Sequence, residues 1–461
     1  MGGKHLIPNS SRQVTEAMLK ALGLSSIDDL FRDVPEEVRF KGELKIPEGL
    51  SEVEVERLLE ERLSQDSAPP TALCFLGGGV WLHHVPAVVD EVLGKAEFYT
   101  AYTPYQPEVS QGMLQALFEY QSLICDLTGM GVANSSLYDW ASAVGEAARM
   151  AARVTGRRRI VASRAAGGER LAVLKTYCEP AGIEVEVVDF DHETGATDLG
   201  RIEAALDGEA AALYIENPNF FGVIEEGVVG LGEAAHRVGA LFIVGVDPTT
   251  LGLLKPPGEY GADIVVGEGQ PLGLPLNYGG PLLGIFAVRD DPRLVRQMPG
   301  RLIGATTTLD GSRRGYTMVL QTREQHIRRE RATSNICTNE ALMALGVAVY
   351  LALLGGEGLQ ELGRTLITSA HYAADLLGGL ASVEAPYFKA PFFREFTARV
   401  EGLKGEELFR RLAEHRVYGG LPLQRFYPEL EEVVLFSITE LHSPEDLKRL
   451  AAVVEEVAAH V

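Results

Sequence analysis

The sequence is short of paired cysteines, of basic charge and of long apolar runs, and each shortage excludes something. Its four cysteines, Cys74, Cys125, Cys178 and Cys337, lie far apart with no Cys-x-x-Cys pair. Neither a disulfide framework nor a thiolate zinc site is expected, and a reducing cytoplasm fits. Forty-two basic residues stand against 64 acidic ones, a formal charge of −22. Phosphate-rich surfaces are repelled on average by such a chain, so no nucleic-acid or anionic-membrane partner is expected. Apolar runs such as Ala211–Ile215 and Leu241–Val246 are too short to span a bilayer, and the longest helical one, Ala341–Leu354, falls below the roughly 18 to 20 residues a span needs. The N-terminal stretch Met1–Gln13 lacks the basic-then-apolar order of a signal peptide, and Leu6 stands where a myristoylation signal requires Ser or Thr. Paired histidines occur at His83 and His84, but adjacent side chains point in different directions, so no metal site is expected there.

What is present is enough apolar material, 46% of 461 residues, for one large domain and a smaller one. Residues 1–65 carry helix-like segments, Val14–Leu22 and Glu52–Leu63, broken at Pro8, Gly23, Pro35 and Pro47. They read as a helical arm without a core of its own. Strand-like runs follow at Arg159–Ala162, Glu184–Val188, Ala211–Ile215, Leu241–Val246, Asp263–Val266 and Leu283–Val288. Between them lie helix-period segments such as Gly168–Ala181, Leu199–Leu206 and Gly230–Val238. Continuous Val/Ile/Leu strands alternating with helices predict a doubly wound, mostly parallel α/β sheet, covered on both faces, within residues 66–380. Two long helices are expected at Thr338–Leu354 and Gly358–Leu380. Residues 381–461 then read as a small α+β domain built from Phe392–Val400, Gly405–Arg416, Val433–Ile438 and Pro444–Ala459.

Ligands of open parallel sheets bind beyond the carboxyl ends of the strands, so the segments placed there matter most. Asn134, Ser135 and Ser136 precede a helix-forming stretch, Ala141–Arg153, and suit either a plain N-cap or a phosphate cradle. Asp247 directly follows a strand. It can start a turn before Pro248, or hold a ring nitrogen protonated as pyridoxal phosphate requires. A covalent pyridoxal enzyme of this layout also needs a primary amine just past the strand Asp263–Val266, but no lysine occurs between Lys255 and Lys389. Gln270 and Pro271 stand there instead, and neither forms a Schiff base. The glycines at 267, 269 and 273 have the wrong spacing for a dinucleotide fingerprint. A basic segment runs from Leu320 to Asn335, where Thr322 and Gln325 fit a capping box whose helix start would face an anion; a solvated face with Glu324 and Glu330 paired to arginines is the plainer alternative.

Several of these stretches together resemble the glycine decarboxylase (P-protein) family in its N-terminal half. They are Tyr102-Thr-Pro-Tyr-Gln-Pro-Glu-Val-Ser-Gln-Gly-Met, Leu127-Thr-Gly-Met, Ala133-Asn-Ser-Ser-Leu-Tyr-Asp, Glu216-Asn-Pro-Asn-Phe-Phe-Gly, Gly261-Ala-Asp, Thr322-Arg-Glu-Gln-His-Ile-Arg-Arg-Glu and Thr333-Ser-Asn-Ile-Cys-Thr-Asn. The resemblance implies a type I pyridoxal-phosphate-enzyme fold and a two-subunit glycine decarboxylase of the glycine cleavage system, in which this chain is the first subunit. The family's Schiff-base lysine follows the strand after Gly-Ala-Asp, and counting on from Gly261 places Pro271 at that position. No catalytic residue is therefore expected in this chain.

By the same resemblance, pyridoxal phosphate is carried covalently by subunit 2. Glycine loses carbon dioxide there, and its aminomethyl group passes to the lipoyl arm of H-protein, in an alpha2beta2 heterotetramer. The expected contributions of this chain are Thr322 and Arg323 toward the partner's cofactor phosphate, with Tyr102, Tyr105, Gln106 and His83 near substrate or interface. Asn134, Ser135, Ser136 and Asp247 would form a vestigial cofactor pocket. Trp140 departs from the family, which has small residues there; the indole either fills that pocket or packs on a neighbouring helix. Two competing readings are a purely structural scaffold for subunit 2 and an autonomous pyridoxal enzyme using Lys255 or Lys175.

Overall fold

The computed structural model describes residues 11–42, 44–66 and 72–460. The chain divides into two compact units, one ending at Asp66 and one starting at Ser67. In the first, Ser11 accepts a hydrogen bond from the Val14 N–H to start helix Arg12–Ala21, and a Ser51/Glu54 capping box starts helix Glu52–Leu63. None of this unit's described residues is buried. Leu22, Val38, Phe40 and Ile46 are among the apolar side chains it leaves exposed, so the first unit has no core.

The second unit is built on a seven-stranded sheet. Its strands are β1 (Val132–Ala133), β2 (Arg159–Ser163), β3 (Glu184–Val188), β4 (Ala210–Glu216), β5 (Leu241–Val246), β6 (Ile264–Glu268) and β7 (Gly284–Val288). Their spatial order is β1-β7-β6-β5-β4-β2-β3. The five strands β2 to β6 run parallel, and β7 and β1 close one edge in antiparallel pairings. Every residue of β4, β5, β6 and β7 is buried, as strands covered on both faces must be.

Alternation along these strands sorts the core into two layers. Leu213, Ile215, Val244 and Val265 point to one face, where they meet α1 (Gln111–Thr128). Tyr214, Ile243, Val266 and Phe286 point to the other, against α2 (Trp140–Thr155) and α3 (Gly168–Cys178). A hairpin, β8 (Leu302–Thr307) and β9 (Arg314–Val319), follows the sheet.

The two long helices expected near 338–380 form one run, Ala341–Gly378, broken at Gly355 where φ is 59° and ψ −173°. By length and composition the run is long and apolar enough to cross a membrane, which the shorter span read from the sequence was not. Met343, Leu345, Leu351 and Leu366 are nevertheless buried within the protein's own core. A four-stranded antiparallel sheet ends the chain, with β10 (Val383–Glu384), β11 (Glu395–Val400), β12 (Leu421–Pro422) and β13 (Val433–Ser437) in the order β10-β11-β13-β12. Helices Gly405–Glu414 and Pro444–Ala458 pack on it. Its strand β11 is led up to the main sheet by backbone: Phe393 N–H donates to the Gly222 carbonyl (3.0 Å) and Ile224 N–H to that of Pro391 (2.8 Å).

Candidate functional site

Three carboxylates meet at the carboxyl ends of the central strands: Glu216 closes β4, Asp247 follows β5 and Glu268 closes β6. Each is at least nine-tenths buried, and buried charge demands a partner. Arg170 of α3 grips Glu216 with two hydrogen bonds of 2.6 and 2.7 Å. Glu216 also accepts from the Gly167 N–H (3.1 Å) and the Tyr214 hydroxyl (2.8 Å). Arg394, beside β11, places Nη2 2.7 Å from Asp247 Oδ2, and Thr249 donates its N–H (3.1 Å) and hydroxyl (2.8 Å) to the same aspartate.

Both guanidinium groups lie against an indole. Arg170 Cζ sits 4.0 Å from the Trp140 ring centre and Arg394 Cζ 3.8 Å from that of Trp81, within the range of a cation–π contact. Trp81 Nε1–H in turn donates to Glu395 (2.8 Å), which also accepts from the Gly78 N–H (2.8 Å). Glu268 accepts N–H bonds from Leu283 (2.8 Å), Gln270 (3.0 Å) and Trp140 (3.2 Å). Burial still pushes its carboxyl up to about 8, the three donors offsetting only part of the desolvation.

Trp81, Trp140, Arg170, Glu216, Asp247 and Arg394 line a crevice that leaves about 20 Å³, the room of a water molecule, and a hollow of about 300 Å³ lined by Gly79, Trp140, Arg170 and Glu268 opens beside it. Asp247 stands where a ring nitrogen would need it, but Arg394 occupies that role. A pyridinium ring held by Asp247 therefore does not fit here. Trp140 is one of the side chains that fill the space.

The loop after β6 is equally committed. Gln270 accepts from the Trp81 N–H (2.9 Å) and donates to the carbonyls of Trp81 (3.0 Å) and Leu274 (2.8 Å). Pro271 lies beside it, and the exposed Lys175 and Lys255 do not line the crevice. Against the expectation of a substrate contact, His83 is buried with both ring nitrogens engaged: Gly273 N–H donates to Nε2 (3.2 Å), and Nδ1 is 3.0 Å from the Trp81 carbonyl. Accepting at Nε2 requires the proton on Nδ1, the neutral form. Burial lowers this histidine below its ordinary 6.5. The unfolded chain therefore takes up a proton that the folded chain refuses, and stability falls as pH drops below about 6.5. In His83→Asn, which keeps an acceptor, urea unfolding compared at about pH 7 and about pH 5, on either side of the ordinary histidine value, is expected to show a shallower loss than in the parent chain.

Asn134, Ser135 and Ser136 are not brought to this crevice. Asn134 donates to the Pro299 carbonyl (3.0 Å), Ser135 to that of Arg301 (3.1 Å), and Ser136 Oγ accepts from the Glu340 N–H (3.1 Å). Nor does either serine cap the next helix: Asp139 does so, in a box with Ser142.

A second cluster forms where the Tyr102–Gln106 loop meets residues 300–339. Tyr102 and Thr338 share a hydroxyl–hydroxyl bond of 3.0 Å. Tyr105 accepts from Arg301 Nη2 (2.7 Å) and meets the His326 ring edge-on at 5.7 Å. Gln106 is exposed. The helix expected from Thr322 does not form. Leu320 and Arg329 adopt positive φ of 54°, leaving a tight turn at Gln321–Arg323 and a four-residue helix, Gln325–Arg328, with no side-chain cap. Thr322 is exposed, and Arg323 is spent on the carbonyls of Leu320, Gly300 and Met298.

A family model described as glycine cleavage system P-protein matches residues 4–454. The chain belongs to the P-protein family. It is 47% identical over 464 residues to a probable glycine dehydrogenase (decarboxylating) subunit 1 of Staphylothermus marinus, covering 98% of each chain. A crystal structure of glycine decarboxylase (P-protein) of the glycine cleavage system, in inhibitor-bound form, superposes with a TM-score of 0.90 at 42% identity, covering 98% of this chain and 100% of that one. A Burkholderia pseudomallei sphingosine-1-phosphate lyase aligns at TM-score 0.66 and 15% identity over 93% of this chain and 95% of that one, a likeness of fold alone. The architecture is the type I pyridoxal-phosphate-enzyme fold. Within this P-protein chain, sequence reading overlooked Arg170, Arg394, Arg301 and Trp81. The signal for Arg170 and Arg394 was the pair of buried carboxylates at the ends of β4 and β5, Glu216 and Asp247, since each needs a cation from elsewhere in the chain.

Proposed function

We propose that this chain is the subunit without the Schiff-base lysine in a two-subunit glycine decarboxylase. The observation that carries the reading is the self-filled crevice: Arg394 answers Asp247, two indoles cover the guanidinium groups, and Pro271 stands where an amine is required. Near-complete coverage of a subunit 1 relative supports the split form. In this reading pyridoxal phosphate is bound covalently by subunit 2, where its ring draws off the electron pair left when glycine loses carbon dioxide.

The present chain then forms a wall of the partner's site. Tyr102, Tyr105 and Gln106 orient glycine and help exclude water, and the exposed Thr322 hydroxyl is directed to the cofactor phosphate. The aminomethyl group passes to the lipoyl arm of H-protein, within an alpha2beta2 assembly in the cytoplasm.

The test is glycine-dependent release of labelled carbon dioxide in the presence of pyridoxal phosphate and lipoylated H-protein, from each chain alone and from the mixture. Activity is expected only in the mixture, with borohydride fixing the cofactor on subunit 2. Turnover by this chain alone would sink the proposal.

A further inference from the structure

Arg301 immediately precedes β8, and its side chain is only 4% exposed. One of its nitrogens is paired, Nη2 with the Tyr105 hydroxyl at 2.7 Å. Nε and Nη1 are buried without a hydrogen-bond acceptor. The nearest carboxylate, Glu324, is 3.7 Å from Nε, near enough to balance charge and beyond hydrogen-bond range. The recess these groups face is lined by Gly300, Arg323, Cys337, Thr338 and Asn339 as well.

A buried guanidinium with unmade bonds is costly, and its planar fork matches the paired oxygens of a carboxylate or phosphate. Arg323, the half-buried cation beside it, already spends three donors on main-chain carbonyls. Tyr105 and Tyr102 tie this recess to the loop that the proposed function assigns to glycine.

We infer that Arg301 is the anion-binding residue of this chain. Its unpaired donors take an oxyanion at the site shared with subunit 2, and Glu324 balances the charge until the ligand arrives. The inference rests on the shared-site reading above and goes beyond it in assigning an anion contact to Arg301, where the sequence had pointed to Arg323. Two sources carry the required chemistry, the carboxylate of glycine and the phosphate of the partner's cofactor.

The experiment uses the assembled two-subunit enzyme carrying R301M or R301K. Three quantities are read: assembly by size exclusion, the glycine dissociation constant from the change in cofactor absorbance, and the cofactor dissociation constant by equilibrium dialysis. R301M is expected to weaken one of these constants about tenfold or more, with R301K intermediate because it keeps the charge and loses the fork. A weakened glycine constant with cofactor retained assigns the carboxylate; a weakened cofactor constant assigns the phosphate. Both constants within about twofold of the parent in an intact complex overturn the inference. Should R301M fail to assemble, R301K decides by the same criterion. The parent enzyme distinguishes the two readings: if it needs both chains while the Arg301 variants bind normally, only this inference falls.

Discussion

Glu216→Ala is expected to lower the unfolding free energy by about 3–5 kcal/mol, the range for breaking a buried ion pair from one side. Its carboxylate is almost wholly buried and satisfies four donors at once: Arg170 Nε and Nη2, the Gly167 N–H and the Tyr214 hydroxyl. Removing it leaves the buried Arg170 guanidinium with only the Gly78 carbonyl (3.1 Å) as an acceptor. Trp140 alone cannot hold a desolvated cation, since a cation–π contact contributes only about 1–2 kcal/mol. Urea unfolding of the single variant checks the loss. A double replacement, Glu216→Leu with Arg170→Met, removes both charges and is expected to recover most of it, because the penalty lies in the unpaired charge and not in the absence of the pair. Equal losses in the single and double variants would show that the cost lies in losing the pair and not in the stranded charge.

Gly222→Ala is the second change expected to be severe. Gly222 closes the Glu216-Asn-Pro-Asn-Phe-Phe-Gly stretch with φ of +82°, and a Cβ there would stand 1.9 Å from the Glu395 carbonyl oxygen and 2.5 Å from its carbon. Those are main-chain atoms, so the obstruction cannot be relieved by a rotamer change. Left-handed backbone costs a residue with a side chain about 1–2 kcal/mol, and forced displacement of packed structure adds about 1–3 kcal/mol. The expected loss is therefore about 2–5 kcal/mol. Moving Glu395 also moves Arg394 off Asp247 and Glu395 off Trp81, so one methyl group opens the crevice from the small-sheet side. Gly208→Ala is the control: that glycine has nothing within 4 Å and is exposed, and its unfolding midpoint is expected to stay close to the parent's.

Strand positions were legible along the chain because a strand buried on both faces needs an unbroken apolar run. Leu241–Val246, buried throughout, has the bounds expected from composition alone, and so does the half-buried edge strand Glu184–Val188, where the apolar residues alternate. The Thr322 segment misled for a related reason. Its capping-box spelling is local, but Leu320 and Arg329 turn to positive φ where side chains such as Arg323 bond to distant carbonyls, and a helix of several turns cannot form between them. At Asn134–Ser136 the residue types suited an N-cap, yet Asp139, three to five positions on, caps the helix and the serines are drawn to Arg301 and Glu340.

By itself the sequence determined the doubly wound sheet, the strand ends at which Asp247 and Pro271 stand, and the lack of an amine at the place a Schiff base requires. These are properties of one stretch of chain at a time: periodicity, punctuation and the presence or absence of a functional group. Only the tertiary structure decided that the crevice is closed. Which cation neutralises Asp247 depends on the small sheet delivering Arg394 beside it, and which arginine stays free to bind an anion depends on Arg323 finding three carbonyls while Arg301 finds one hydroxyl. Buried charges choose partners by proximity in space, and no local pattern in the chain encodes that proximity.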